Sequence, residues 1–279
     1  MITLAAAEWE ARLLPEQGGA VAALSWRGRD VLVPLPLGAE PNGSFAGAFL
    51  MAPWANRLDR GLLPVAGLEH HLPINRPEDD TAIHGLSRDL PWEVAERAAG
   101  RVVLAQVVVG PPPFHYAARL ELALGAEGAA LRCSLTNLAE APCPHGLGWH
   151  PFFARPPGTR LRFAATTLFA RDARCLPVAA QPSSGVDGEE FEGLDTAFAG
   201  WDGVAEIAWP DATLHLAASG AWAGNLQVFA PSGGNVLCVE PVSHVPDAPN
   251  RPEFAALGAL TMLPPGAALE AQLLLRVDA

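Results

Sequence analysis

The stretch HGLGWHPFF, residues 145–153, sets two imidazoles five residues apart among glycines, a proline and aromatic rings. Histidine is the side chain whose ordinary pKa lets it hold or release a proton near neutral pH, so such a stretch is either packing or acid–base chemistry. His150 precedes Pro151, which restricts its backbone to extended conformations, and two phenylalanines able to wall off solvent follow. Glu240 is the complementary group. It follows the apolar run NVLCV and precedes a proline, and a carboxylate there is costly unless it is paired or used. Arg57, in ANRLDRG, either ties down a turn or offers its planar fork of donors to hydroxyl and ring oxygens. His84 stands before Gly85, where the backbone can turn and a ligand can approach closely; a core histidine satisfied by a carbonyl is the competing reading. Asp195, in FEGLDTAF, is a turn or cap residue or a binder of hydroxyls. His145, with His150, His84 and an acid, would make a metal set, but the spacing matches no metal signature, so no metal is expected. His70, His71, His115, His215 and His244 read as surface or structural.

The elements that must position these groups read as strands. Gly and Pro, 27 of each, punctuate short apolar runs along the whole chain, and YAARLELAL alternates Arg119, Glu121 and Ala123 against Leu120, Leu122 and Leu124. That alternation predicts antiparallel sheets with one side buried. No long, capped helical pattern and no fixed-period repeat occurs. Residues 34–48, 73–82, 154–160 and 177–203 read as loops, and the whole chain, 1–279, as a single all-β domain.

Composition narrows the chemistry. A net charge of −12 argues against nucleic-acid and anionic membrane partners and for a neutral small molecule. All 18 basic residues are arginine, which excludes Schiff-base catalysis and the lysine-dependent phosphate loop. The four scattered cysteines form no CxxC pair and suit a reducing compartment. The first fifteen residues lack a basic leader, with Glu8 and Glu10 breaking the apolar run, so a cytoplasmic location is expected. No stretch approaches the ~20 apolar residues of a membrane helix.

Taken in order, the polar segments resemble the aldose 1-epimerase (galactose mutarotase) family over nearly the whole chain. NRL with Arg57 is similar to the family's NRI segment, AIHG with His84 to its first-histidine motif, and HPFF with His150 to its HPYF motif. Asp195 in LDTAF corresponds to its sugar-binding aspartate. Glu240 in VEP, followed by PDAPN, matches its catalytic glutamate. Leu58, Phe152 and Ala154 depart from the isoleucine, tyrosine and asparagine common there. The resemblance implies a large, mostly antiparallel β-supersandwich, no cofactor, and interconversion of the α and β anomers of a free aldose such as galactose or glucose. It further implies that Glu240 takes the anomeric hydroxyl proton while His150, starting protonated, gives one to the ring oxygen. His84 and Arg57 would hold that oxygen, and Asp195 the distal hydroxyls. Trp54, Trp149, Trp222 and Phe229 are candidates for stacking on the sugar. Two alternatives stand beside this reading: a hexose-6-phosphate 1-epimerase, with Arg60, Arg88 and Arg155 converging on the phosphate, and a non-catalytic carbohydrate-binding or sensing domain.

Overall fold

The computed structural model describes residues 1–36, 38–39 and 43–279; residues 37 and 40–42, inside the loop expected over 34–48, lie outside the described residues. Where the sequence alternates, the strands are half-buried as expected. His115–Gly125 turns Leu120, Leu122 and Leu124 inward and leaves Arg119 exposed. This strand lies in a nine-stranded sheet; a twelve-stranded sheet forms the other layer. The strand pairs in both are antiparallel. One apolar cluster draws on both layers, with Leu13, Leu24, Leu50, Val228 and Val239 from the larger sheet and Leu104, Leu120, Leu131, Leu214 and Leu273 from the smaller.

The middle of the larger sheet is covered on both faces. Val236–Val242 is buried at every position, so it reads in sequence as a continuous apolar run. Leu237 and Val239 face the core between the sheets, while Val236, Cys238 and Val242 join Phe49, Met51, Ala55 and Phe152 in a second cluster. The candidate site residues His150 and Glu240 lie on this second face.

The loop expected over 177–203 holds three strands, Pro177–Pro182, Val186–Gly188 and Asp195–Ala199. Pro177–Pro182 is the terminal strand of the larger sheet, where a missing N–H leaves no ladder bond unmade on the open side. Thr81–Ile83, partly inside the 73–82 loop, pairs with Arg57–Asp59. The α-helical content among the described residues is one turn, Ala255–Gly258.

Candidate active site

Five strands of the larger sheet lie side by side in the order Ala48–Met51, Gly148–Pro151, Val236–Val242, Asn225–Phe229, Asp195–Ala199. Their registers line up a row of side chains. His150 is opposite Phe49, and Gln227 opposite Glu240. Gly148 pairs with Val242, so His150, two residues on, lies beside Glu240, two residues back, on the same face. His150 Nε2 is accordingly 3.6 Å from Glu240 Oε1. Phe49 stacks on the imidazole at 4.8 Å between ring centroids, and Phe152 packs on it at 4.6 Å.

Arg57 and His84 enter from outside the sheet, on the small ribbon in which Arg57 pairs with Ile83. His84 adopts φ of 64° and sits edge-on to His150 at 5.2 Å. Its backbone N–H donates to the Asn56 carbonyl, and the Asn56 N–H donates to His84 Nδ1. Nδ1 is therefore an acceptor, which fixes the neutral tautomer with its proton on Nε2. Gly85 is required next, since with φ of 73° a Cβ there would stand 2.1 Å from the Ala52 carbonyl oxygen. Arg57 Nε and Nη2 both donate to Asp79 Oδ2, at 3.1 and 3.0 Å.

Asp195 lies at the first position of its strand, held from both sides. Arg171 Nη1 donates to Oδ2 at 2.5 Å and Gln227 Nε2 to Oδ1 at 2.7 Å. The structure thus brings Arg57, His84, His150, Asp195 and Glu240 to the wall of one cavity of about 310 Å³.

Burial governs the protons. The Glu240 carboxyl is 2% exposed; burial, reinforced by the Asp195 charge and opposed by Arg57, raises its pKa well above the ordinary 4.5. Burial, reinforced by Arg88, pushes His150 down to about 3. Burial and then the Arg88 charge also lower His84 well below 6.5. Burial thus favours the uncharged form of both groups, a protonated Glu240 carboxyl beside a neutral imidazole, rather than the protonated imidazole implied at the outset. Charge separation in a dry cavity is what this arrangement avoids.

Several contributors were not singled out from sequence. Asp79, Arg171 and Gln227 orient the guanidinium and the carboxylate, and Phe49 backs His150. Gln227 alone left a signal, as an amide inside the apolar run NLQVF. Arg88, named only as a phosphate ligand, sits over the Phe49 ring at 5.4 Å and lines the cavity. Of the stacking candidates, Phe229 lines the cavity, whereas Trp54, Trp149 and Trp222 are core residues. His145 and His244 are structural. His145 is fully buried against Phe114 and Tyr116, and His244 accepts the Ala55 N–H.

The two-sheet, antiparallel β-sandwich is the fold of galactose mutarotase-like proteins. The chain superposes on a galactose mutarotase-like protein from Clostridium acetobutylicum with a TM-score of 0.87 at 18% identity, covering 99% of this chain and 94% of that one. It superposes on a galactose 1-epimerase from Lactobacillus acidophilus NCFM with a TM-score of 0.79 at 16% identity, covering 98% and 92%. In sequence it is 26% identical over 280 residues, 94% of each chain, to the Escherichia coli (strain K12) protein designated uncharacterized protein YphB. The family model described as aldose 1-epimerase matches residues 1–276. The chain belongs to the aldose 1-epimerase family, and that membership makes it a carbohydrate epimerase.

Proposed function

We propose that this protein interconverts the α and β anomers of a free aldose by opening and reclosing the sugar ring. Opening needs a proton to leave the anomeric hydroxyl while another reaches the ring oxygen; the C1–O5 bond then breaks, the aldehyde rotates, and the ring closes from its other face. One group that accepts and one that donates are enough. The observation that carries the reading is the 3.6 Å approach of His150 Nε2 to Glu240 Oε1, groups whose uncharged forms, favoured by burial, together hold one proton. Transfer of that proton from Glu240 to His150 converts the neutral resting pair into carboxylate and imidazolium with no change in proton count. Glu240 then takes the anomeric proton, His150 protonates the ring oxygen, and reclosure reverses both transfers. Each transfer contributes roughly 10²- to 10⁴-fold, or about 3–5 kcal/mol of barrier.

Arg57 and the His84 Nε2–H supply donors for the ring oxygen, and Asp195, held by Arg171 and Gln227, accepts from distal hydroxyls. Charge favours a neutral sugar over a phosphorylated one. Arg60 is mostly exposed and pairs with Asp80, while Arg155 lies in a separate groove, donating to the Gly234 and Pro231 carbonyls. Of the three arginines considered for a phosphate, Arg88 alone lines the cavity, and the neighbouring Arg57 and Arg76 both pair with Asp79.

Saturation-transfer NMR across free and phosphorylated aldoses tests the proposal. Accelerated anomer exchange for at least one free aldose is the expected result. Saturable binding without acceleration would make the protein a binding module, and acceleration confined to phosphosugars would move it to the phosphate-specific class.

A further inference from the structure

Beneath the catalytic pair lies a group that the ring-opening chemistry does not use. Cys238 and Glu240 are two residues apart on one strand and so share a face, and His150 reaches the same point from the neighbouring strand. A ring nitrogen of His150, the Cys238 sulfur and a Glu240 oxygen all lie within 4.8 Å of one another, and all three residues are buried. The described residues contain no other such cluster of histidine, cysteine and acidic side chains.

We propose that His150, Cys238 and Glu240 form a binding site for a thiophilic divalent cation, with zinc the best-fitting ion, and that the bound ion inhibits the enzyme.

The donor set is one nitrogen, one sulfur and one oxygen. That mixture suits zinc, whereas magnesium and calcium take oxygen shells. Bonds of roughly 2.0–2.3 Å in a tetrahedron put ligand atoms about 3.3–3.8 Å apart. The His150–Glu240 separation of 3.6 Å already falls in that range, and the remaining separations need to close by no more than about 1.5 Å. His150 is neutral, the form that ligates, and is 8% exposed with Nδ1 buried and without a hydrogen-bond partner. On binding, the thiol and the Glu240 carboxyl release their protons to solvent. Thiolate and carboxylate then offset the dication, so the filled floor carries no net charge, which is what a buried site tolerates. Three protein ligands leave a fourth position for water. The ion inhibits because it occupies the lone pairs of the carboxylate and imidazole that must move protons.

The test uses the full chain with cobalt(II) as a spectroscopic substitute, followed by zinc. Cobalt should give a thiolate-to-metal charge-transfer band that added zinc abolishes. The band should vanish in Cys238→Ala and persist in Cys133→Ala, Cys143→Ala and Cys175→Ala. Zinc affinity by calorimetry should fall in Cys238→Ala by at least the roughly 10- to 100-fold that loss of an outer-shell partner alone costs. Anomer exchange by the unmodified protein should be inhibited by zinc, and exchange by Cys238→Ala should resist it. If Cys238→Ala does not fold, Cys238→Ser replaces it, read by the same cobalt band. Absence of the band, or a band that survives loss of the tested ligand in a folded variant, overturns the proposal. The spectrum is recorded without sugar, so this site and the epimerase reading stand or fall separately.

Discussion

Replacing Glu240 with glutamine separates two ways in which the pair can hold its proton. An imidazole with a pKa of about 3 is roughly 1% protonated at pH 5, whereas one at the ordinary 6.5 is roughly 97% protonated. The causes of the low value, burial and the Arg88 charge, do not involve Glu240, so the variant keeps His150 neutral. In the proposed mechanism the active state of the unmodified protein has one proton in the pair, and burial favours it on Glu240. The alkaline fall in rate should therefore come from ionisation of Glu240, above its ordinary 4.5, although His150 is the proposed donor. The two limbs belong to the pair, and their order is the reverse of that implied by an imidazolium at rest. Glu240→Gln should lose roughly 10²-fold or more in turnover. Its residual rate should be flat between about pH 5 and 9, because neither residue of the pair titrates there. His150→Asn should lose a similar factor yet retain the alkaline limb. Polarimetry of a freshly dissolved anomer, with the buffer-catalysed rate subtracted at each pH, reads both. A Glu240→Gln residual rate that drops about tenfold per pH unit above roughly pH 6.5 would show His150 titrating at its ordinary value, and the proton placement would be wrong.

Asp195→Asn and Arg171→Ala should raise KM more than they lower kcat in steady-state kinetics, because the contacts to distal hydroxyls exist in the ground state too. Gly85→Ala should destabilise by about 2–4 kcal/mol in denaturant titrations, from a positive φ and a Cβ driven onto the Ala52 carbonyl. Acid should destabilise the Glu240→Gln protein. His150 and His244, lowered to about 3 and about 4 in the fold, stay neutral while their unfolded counterparts gain protons below 6.5. Stability is thus lost as pH falls, by about 2 kcal/mol per histidine at pH 5, and Tm should drop accordingly; the glutamine background removes the opposing contribution of the raised Glu240. Dialysis against EDTA should leave anomer exchange undiminished, since the proposed metal is an inhibitor and the proton transfers need no Lewis acid.

Arg57, His84, His150 and Glu240 were legible in the sequence because the polar clusters that hold them interrupt an apolar pattern, whereas Asp195, in an acid-rich loop, stood out only through the family resemblance. The all-β class was legible from alternation in strands such as His115–Gly125, where one face meets solvent. Alternation disappears where both faces are covered, so apart from Glu240 the central strand Val236–Val242 showed only that it is apolar. Its partners could not be read from it. The juxtaposition of His150 and Glu240 depends on a strand order that brings together segments 90 residues apart, and no local pattern encodes that register. The same limit hid Arg171 and the role of Gln227, whose hydrogen bonds to Asp195 exist only once three strands have paired. Proline and glycine across 177–203 pointed to loops, because propensity describes a central strand and not the edge that Pro177–Pro182 forms.

What the sequence could not carry at all is the direction in which the fold moves each proton. Residue types assign an ordinary acid to Glu240 and an ordinary base to His150, which at neutral pH gives a carboxylate beside an imidazole with room to ionise. Covering the second face of the sheet with the segment that bears Arg57, His84 and Arg88 changes the balance. It removes water from both partners and adds a cation that opposes imidazolium. Both shifts favour the uncharged form, the protonated carboxyl and the neutral imidazole. The consequence is a pair whose two protonation states are separated by an internal transfer rather than by exchange with solvent. That is the property an alternating donor and acceptor need when ring closure must return each proton to the group that gave it.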